Sequence, residues 1–251
     1  MVTRFFWSLF MIVIWAGESL AQEKVQFSSE DGLQITANHY LPKSAQSPYV
    51  VLFHQAGWSR GEYLEIAPKL VGMGFGVLAV DQRSGVGVNG VPNETYAAAA
   101  KKGKNTSYLD ALPDMSAAIK FVRLNYKPNK LLIWGSSYSA ALVLRISGQQ
   151  PQSVDAVLSF SPGEYFSGSG KPGDWIRSAA EKISVPVFIT SAKSEVGSWK
   201  EIYEAIPHHN KVSFIPGGAG QHGSRSLWSQ FPDHAEYWRA VSLFLRDYLP
   251  K

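Results

Sequence analysis

The chain has 251 residues, 45% hydrophobic, 13% aromatic and 18% charged, with a formal net charge of +4 and no cysteine. Aromatics at that level with so little charge exclude a disordered chain, and the lack of cysteine excludes a disulfide scaffold and any thiolate metal or redox centre. The positive charge is small and spread along the chain, so it implies no nucleic-acid partner, and the length suits one large domain with a full core.

Arg4 precedes an apolar stretch, 5–16, in which Ser8 is the only polar residue, and Ser19-Leu20-Ala21 follows with small residues. This pattern predicts a signal peptide over 1–21 and a secreted or periplasmic domain over 22–251. The apolar stretch is shorter than the roughly 20 residues of a membrane span, so no stable membrane anchor is expected after cleavage. Segments 25–28 and 33–40 alternate apolar and polar residues around Glu30-Asp31-Gly32 and predict an opening antiparallel hairpin. The continuous apolar run at 49–53 and the segment 76–80 predict strands buried on both faces, and 131–134, 154–160, 185–190 and 212–215 predict further strands. Helical spacing recurs at 63–73, 110–124, 139–146, 198–205 and 233–249, the last with Trp238, Val241, Phe244, Leu245 and Tyr248 inward. Strands alternating with helices predict an α/β fold with a mostly parallel central sheet and helices on both faces. Segments 84–107 and 161–173 read as irregular loops at the C-terminal ends of strands, where open α/β sheets bind ligands.

The chemistry converges on Ser137. Gly135-Ser136-Ser137-Tyr138-Ser139 lies between a buried strand and a helix of Ala and Leu. A G-x-S-x-small turn there holds a serine in a strained backbone conformation, and its flanking residues must be small so that strand and helix do not collide. Such a nucleophile needs a base, and the base an acid to orient it. His222 lies in the glycine-rich Gly217-Gly218-Ala219-Gly220-Gln221-His222-Gly223, and Glu195 follows the 185–190 strand. Glu164, after the 154–160 strand, is the alternative acid and Asp174 a more distant one. The Tyr138 N–H, at a helix start, is one candidate oxyanion donor. The second comes from Phe53-His54-Gln55-Ala56-Gly57-Trp58: Ala56, or Gln55 if the loop is shifted by one. His54 reads as structural in that loop. Trp58, Tyr138, Tyr165, Phe166 and Trp175 are candidates for lining an acyl pocket.

Over 25–251 the chain resembles the α/β-hydrolases, within them the dienelactone-hydrolase-like and small carboxylesterase branch. The likeness rests on Val51–Gly57, on Ala79–Gly87 with Asp81 and Arg83 as structural residues, on the turn at Gly135–Ala140, on Pro186–Glu195 and on Gln221–Gly223. The order Ser137, Glu195, His222 is the order of that fold. Four positions depart from the pattern: Ser139 and Gln55 stand where glycine is usual, Glu195 stands where aspartate is commoner, and the glycine usual before that acid is replaced. The resemblance implies no large cap domain, no cofactor, no metal and a small-molecule ester substrate cleaved through an acyl-enzyme. The alternatives are a serine peptidase or amidase of the same fold and a non-catalytic ligand-binding protein on the same scaffold.

Overall fold

The computed structural model describes residues 22–249 apart from 43 and 208. The predicted signal peptide, 1–21, and His208 lie outside the described residues. Eight strands form one sheet: β1 (Gln22–Ser28), β2 (Gln34–Tyr40), β3 (Tyr49–Phe53), β4 (Gly76–Val80), β7 (Leu131–Ser136), β8 (Ala156–Phe160), β9 (Val187–Thr190) and β10 (Lys211–Phe214). Their order across the sheet is β1-β2-β4-β3-β7-β8-β9-β10. β1 and β2 make the opening antiparallel hairpin, β2 pairs antiparallel with β4, and every pair from β4 to β10 is parallel.

Alternation along the strands feeds two cores. Val51, Phe53, Leu78, Ile133 and Val157 face one layer, which includes α3 (Leu112–Asn125), α4 (Tyr138–Gln149) and α6 (Val196–Ala205). Val50, Leu52, Val77, Leu132 and Leu158 face the other, with α1 (Ile66–Gly72) and α7 (His234–Leu245). Helices on both faces explain why β3, β4, β7 and β8 are buried along their whole length and largely apolar.

The register aligns the strand ends. Phe53 lies opposite Gly135, Ser136 opposite Phe160, Phe160 opposite Thr190 and Thr190 opposite Phe214. The loops after β3, β7, β8, β9 and β10 therefore leave one edge of the sheet side by side. The chain runs from β3 to β4 on one side and from β7 to β8 on the other, so the strand order reverses between β3 and β7, the place where such sheets bind ligands.

Several predicted boundaries shift. The 63–73 helix is α1 alone, preceded by a 3-10 turn at Arg60–Tyr63 that Ser59 caps by accepting the Gly61 amide at 3.1 Å. The closing helix stops at Leu245 and continues as a 3-10 turn, Arg246–Tyr248. Segment 84–107 is not irregular throughout: it holds a small hairpin of β5 (Gly87–Val88) and β6 (Val91–Pro92) and then α2 (Glu94–Lys101). Asn93 caps α2 by accepting from the Tyr96 amide at 2.8 Å, and the Thr95 hydroxyl accepts from the Thr36 amide at 2.9 Å. Those bonds fasten the segment to the sheet. A further short helix, α5 (Arg177–Ala180), follows 161–173. No helix among the described residues is long and apolar enough to cross a membrane.

Two buried arginines brace the loops beyond β4. Arg60 pairs with Asp81, donates to Asn38 Oδ1 at 2.9 Å and reaches Glu94 at 2.6 Å. Arg83 donates through Nε to Asp114 at 3.0 Å and through a terminal nitrogen to Asp31 at 2.8 Å. Asp114 is fully buried and Arg83 nearly so. Removing one partner of a buried pair strands the other charge. Asp114→Ala is expected to cost about 3 kcal/mol of stability, read as a lower urea midpoint at unchanged slope.

Candidate active site

β7 passes into α4 through a single residue. Ser137 has φ 59° and ψ −122°, left-handed backbone that a side chain occupies at a cost. Its amide donates to the Phe160 carbonyl at 2.8 Å, which pins the turn to β8. Strand and helix approach so closely that a Cβ on Gly135 would stand 2.6 Å from the Ala140 Cα, so only glycine fits. Ser139 is tolerated where glycine is usual because its hydroxyl is used: it accepts from the Ser136 amide at 2.8 Å and lies 2.7 Å from the Phe53 carbonyl, to which it donates. Tyr138 opens α4, so its N–H belongs to the first turn, which has no intrahelical acceptor and carries the positive end of the dipole. Its ring is buried against Tyr108, and its hydroxyl bonds Gln82 Nε2 at 2.9 Å and Ser84.

The loop after β10 brings His222 to the carboxylate after β9. His222 Nδ1 and Glu195 Oε1 are 2.6 Å apart. Burial pushes the Glu195 carboxyl up, but the hydrogen bonds from His222 and Ser161 outweigh it and hold its pKa below the ordinary value. An ionised Glu195 accepts the Nδ1 proton, which leaves Nε2 as the free basic nitrogen. Ser161, after β8, also has left-handed backbone, φ 58°. Its hydroxyl donates to Glu195 Oε2 at 2.7 Å and accepts the Gly223 amide at 2.9 Å, so one side chain orients both the acid and the histidine loop. Among the described residues Ser137 Oγ has no hydrogen bond to His222.

In the loop after β3, His54 is fully enclosed, and burial pushes its pKa down to about 4. Its ring nitrogens meet the Gln55 carbonyl at 2.8 Å and the Gln82 backbone, so it stays neutral and structural. The Gln55 amide donates to Glu62 Oε2 at 2.8 Å and is not free for a ligand. The Ala56 N–H has no protein acceptor among the described residues.

The alternative acids lie elsewhere. The Glu164 carboxylate accepts the Ile176 amide at 2.9 Å and the Arg177 amide at 2.8 Å, holding the start of α5, and Asp174 accepts from the Ser178 hydroxyl at 3.1 Å. Neither meets His222. The predicted aromatic pocket also divides. Phe166 is core, with Trp175 against it edge-on, and Trp58 stacks on Trp228. Tyr165 is the exposed member, its hydroxyl donating to the Ser161 carbonyl at 2.7 Å. Clefts of about 490 and 440 Å³ flank β1 and β10, at the two edges of the sheet, and are lined by no residue of this site. Among the described residues no three His, Asp or Glu side chains cluster to hold a metal.

Pattern alone does not mark Glu62 or Ser161. Glu62 reads as one more polar residue of a turn, and Ser161 is a serine in a loop. The one signal available for Ser161 was its place at the end of β8, beside the positions weighed for an acid. Gly223 closes the site from above: its φ is +71°, and a Cβ there would meet Ser136 Oγ at 2.5 Å and Gln55 Oε1 at 2.8 Å. Gly223→Ala is expected to lose about 1–3 kcal/mol of stability through backbone strain and overpacking, measured by thermal or urea unfolding, and to displace His222 from Glu195, measured by the imidazole NMR signals.

A family model described as serine aminopeptidase, S33, matches residues 45–167, which span the loop after β3 and the Ser137 turn but stop short of Glu195 and His222. No curated protein matched the chain by sequence. Among solved structures, an esterase of Pyrococcus furiosus is 20% identical with a TM-score of 0.69, over 91% of this chain and 93% of its own. A dienelactone hydrolase from Anabaena variabilis is 16% identical with a TM-score of 0.71, over 92% and 99%. An acylaminoacyl peptidase of Pyrococcus horikoshii is 15% identical with a TM-score of 0.63, over 92% of this chain and 42% of the peptidase. The parallel sheet with its leading hairpin, the helices on both faces, the strained serine turn after β7 and these likenesses agree: the chain has the α/β-hydrolase fold.

Proposed function

We propose that this protein is a serine hydrolase that cleaves carboxylic esters in two acyl-transfer steps. The observation that carries the reading is the 2.6 Å bond between His222 and Glu195, at the same sheet edge as a serine held at φ 59°. Glu195, ionised, fixes the tautomer in which His222 Nε2 is the base. Nε2 takes the Ser137 proton as Oγ attacks the ester carbonyl. The developing oxyanion accepts from the Tyr138 and Ala56 amides, an effect worth roughly 3 kcal/mol per donor. The imidazolium then protonates the departing alcohol oxygen, which leaves an acyl-Ser137. His222 next deprotonates a water that attacks this acyl group, and the same proton returns to Ser137 as the carboxylic acid leaves. The likeness to an esterase and a dienelactone hydrolase supports an ester substrate. The apolar stretch 5–16 before Ser19-Leu20-Ala21 supports export.

A second reading, an aminopeptidase or amidase, is favoured by the description of the matching family model and by the acylaminoacyl peptidase likeness. The same machinery serves both reactions, and the leaving group decides between them. Hydrolysis of p-nitrophenyl butyrate, with aminoacyl p-nitroanilides left intact, is the outcome expected. Ser137→Ala should abolish turnover and labelling by a fluorophosphonate. Glu195→Gln should keep the fold and lower kcat by roughly 10³–10⁴-fold. Cleavage of the anilides at rates matching the ester would establish the peptidase. A parent protein that neither hydrolyses the ester nor takes the phosphonate would refute acyl transfer and leave a ligand-binding scaffold.

A further inference from the structure

One ionisable side chain is wholly enclosed beside this site and takes no part in the acyl transfer. Glu62 has no exposed surface, sits in the 3-10 turn between β3 and α1, and has its own carbonyl bonded by Trp228 Nε1 at 2.9 Å. Its carboxylate touches two of the loops that form the site. Oε2 accepts the Gln55 amide at 2.8 Å, immediately before Ala56. Oε1 accepts the Ser136 hydroxyl at 2.6 Å, immediately before Ser137. Ser136 Oγ in turn accepts the Ser224 amide at 2.9 Å, two residues after His222. The oxyanion loop, the serine turn and the histidine loop thus meet at one carboxylate.

We propose that Glu62 is a positioning residue that holds these three loops in register, and that it does so as a carboxylate. The assignment rests on the serine-hydrolase reading above. It follows from counting donors. Ser136 Oγ already receives the Ser224 N–H, so its own proton goes to Glu62. The Gln55 N–H also goes to Glu62. An ionised carboxyl accepts both and presents no hydrogen of its own. A proton on either oxygen sets a donor against a donor, and one loop loses its anchor. Burial pushes the Glu62 pKa up to about 7, against the hydrogen bonds from Ser136 and Gln55 and the attraction of His222 and Arg225. His222 and Arg225 of the histidine loop, with the Tyr63 phenol on its own turn, are the titratable groups facing it. Ser136 and Gln55, from the other two elements, carry no charge. The clamp therefore forms as pH rises through about 7 and loosens below it.

Activity then requires two deprotonations on the acid side, a neutral His222 and an ionised Glu62. The test is kcat/KM for p-nitrophenyl butyrate between about pH 5 and 9, in the parent and in Glu62→Gln, with thermal melting across the same range. The parent is expected to show a limiting acid slope near 2. Glu62→Gln, isosteric but unable to accept from both donors, should show a slope near 1 and lose about tenfold or more in kcat at the alkaline plateau, with KM little changed. Melting gives a reading that does not depend on activity. A glutamate whose folded pKa, about 7, lies above its ordinary value of 4.5 contributes stability in full below about pH 4.5 and loses it as pH rises through about 7. The melting temperature of the parent minus that of Glu62→Gln should therefore fall across that window. A parental slope of 1, a variant with parental kcat, or a flat melting difference each overturns the proposal, and the parental slope decides alone if the variant does not fold. A parent without esterase activity and without phosphonate labelling defeats the hydrolase reading itself and this role with it. An active parent with a single-proton limb defeats this role only.

Discussion

The site depends on how little space separates β7 from α4. A strand apolar on both faces has to become a helix within one residue, and the Gly135 backbone passes so near Ala140 that no Cβ fits between them. The turn can close only with its middle residue at positive φ, and that residue is Ser137. This strain lifts the side chain clear of the sheet edge and leaves the first amide of α4 without a helical acceptor. It persists because its surroundings over-determine it: the Ser137 amide is bound to β8, the Ser136 amide to Ser139, and the Ser139 hydroxyl to β3.

Two glutamates near that turn are driven in opposite directions by their surroundings. Glu195 lies at a strand end, half-buried, where His222 and Ser161 donate to it, and it stays ionised below the ordinary range. Glu62 is sealed beneath the turn, where burial outweighs two hydrogen bonds, and it titrates close to neutrality. The first orients the imidazole directly. The second acts through Ser136 and Gln55 on the backbone to either side. Desolvation set against hydrogen bonding accounts for both directions.

The fold was legible because the central parallel strands β3, β4 and β7 are buried on both faces and read as largely apolar runs, whereas the edge strand β10 has two exposed positions. The Ser137 turn was legible because steric crowding demands small residues at fixed spacing, and Glu195 and His222 because each follows a recognisable strand. α2 was missed because its stability comes from the Asn93 cap and from Thr95 and Glu94 reaching Thr36 and Arg60, not from amphipathic spacing. Glu62 could not be found by pattern. Its partner Ser136 is 74 positions away in the chain, and its burial is set by the sheet register that brings Phe53 opposite Gly135. Ser161 is similar: no local rule places a serine at φ 58°, and its reason for being there is the pair Glu195 and Gly223, both from later loops.

Two of the departures from the residues usual in this fold, at 139 and 55, have a common physical account. Ser139 stands where glycine is usual, and its hydroxyl binds the last carbonyl of β3, the strand that leads into the His54–Trp58 loop. Gln55 stands where glycine is common, and its amide is held by Glu62, which leaves Ala56 to present a free N–H. Its side-chain oxygen is buried without a partner 2.8 Å from where a Cβ of Gly223 would be, so the histidine loop must carry glycine at that point. Each substitution adds a polar group at the junction of β3, β7 and the histidine loop, and buried polar groups are tolerated there only if the surrounding backbone is fixed in place. The added hydroxyl and the enclosed carboxylate supply that fixation, so the altered residues and Glu62 form one connected unit around Ser136.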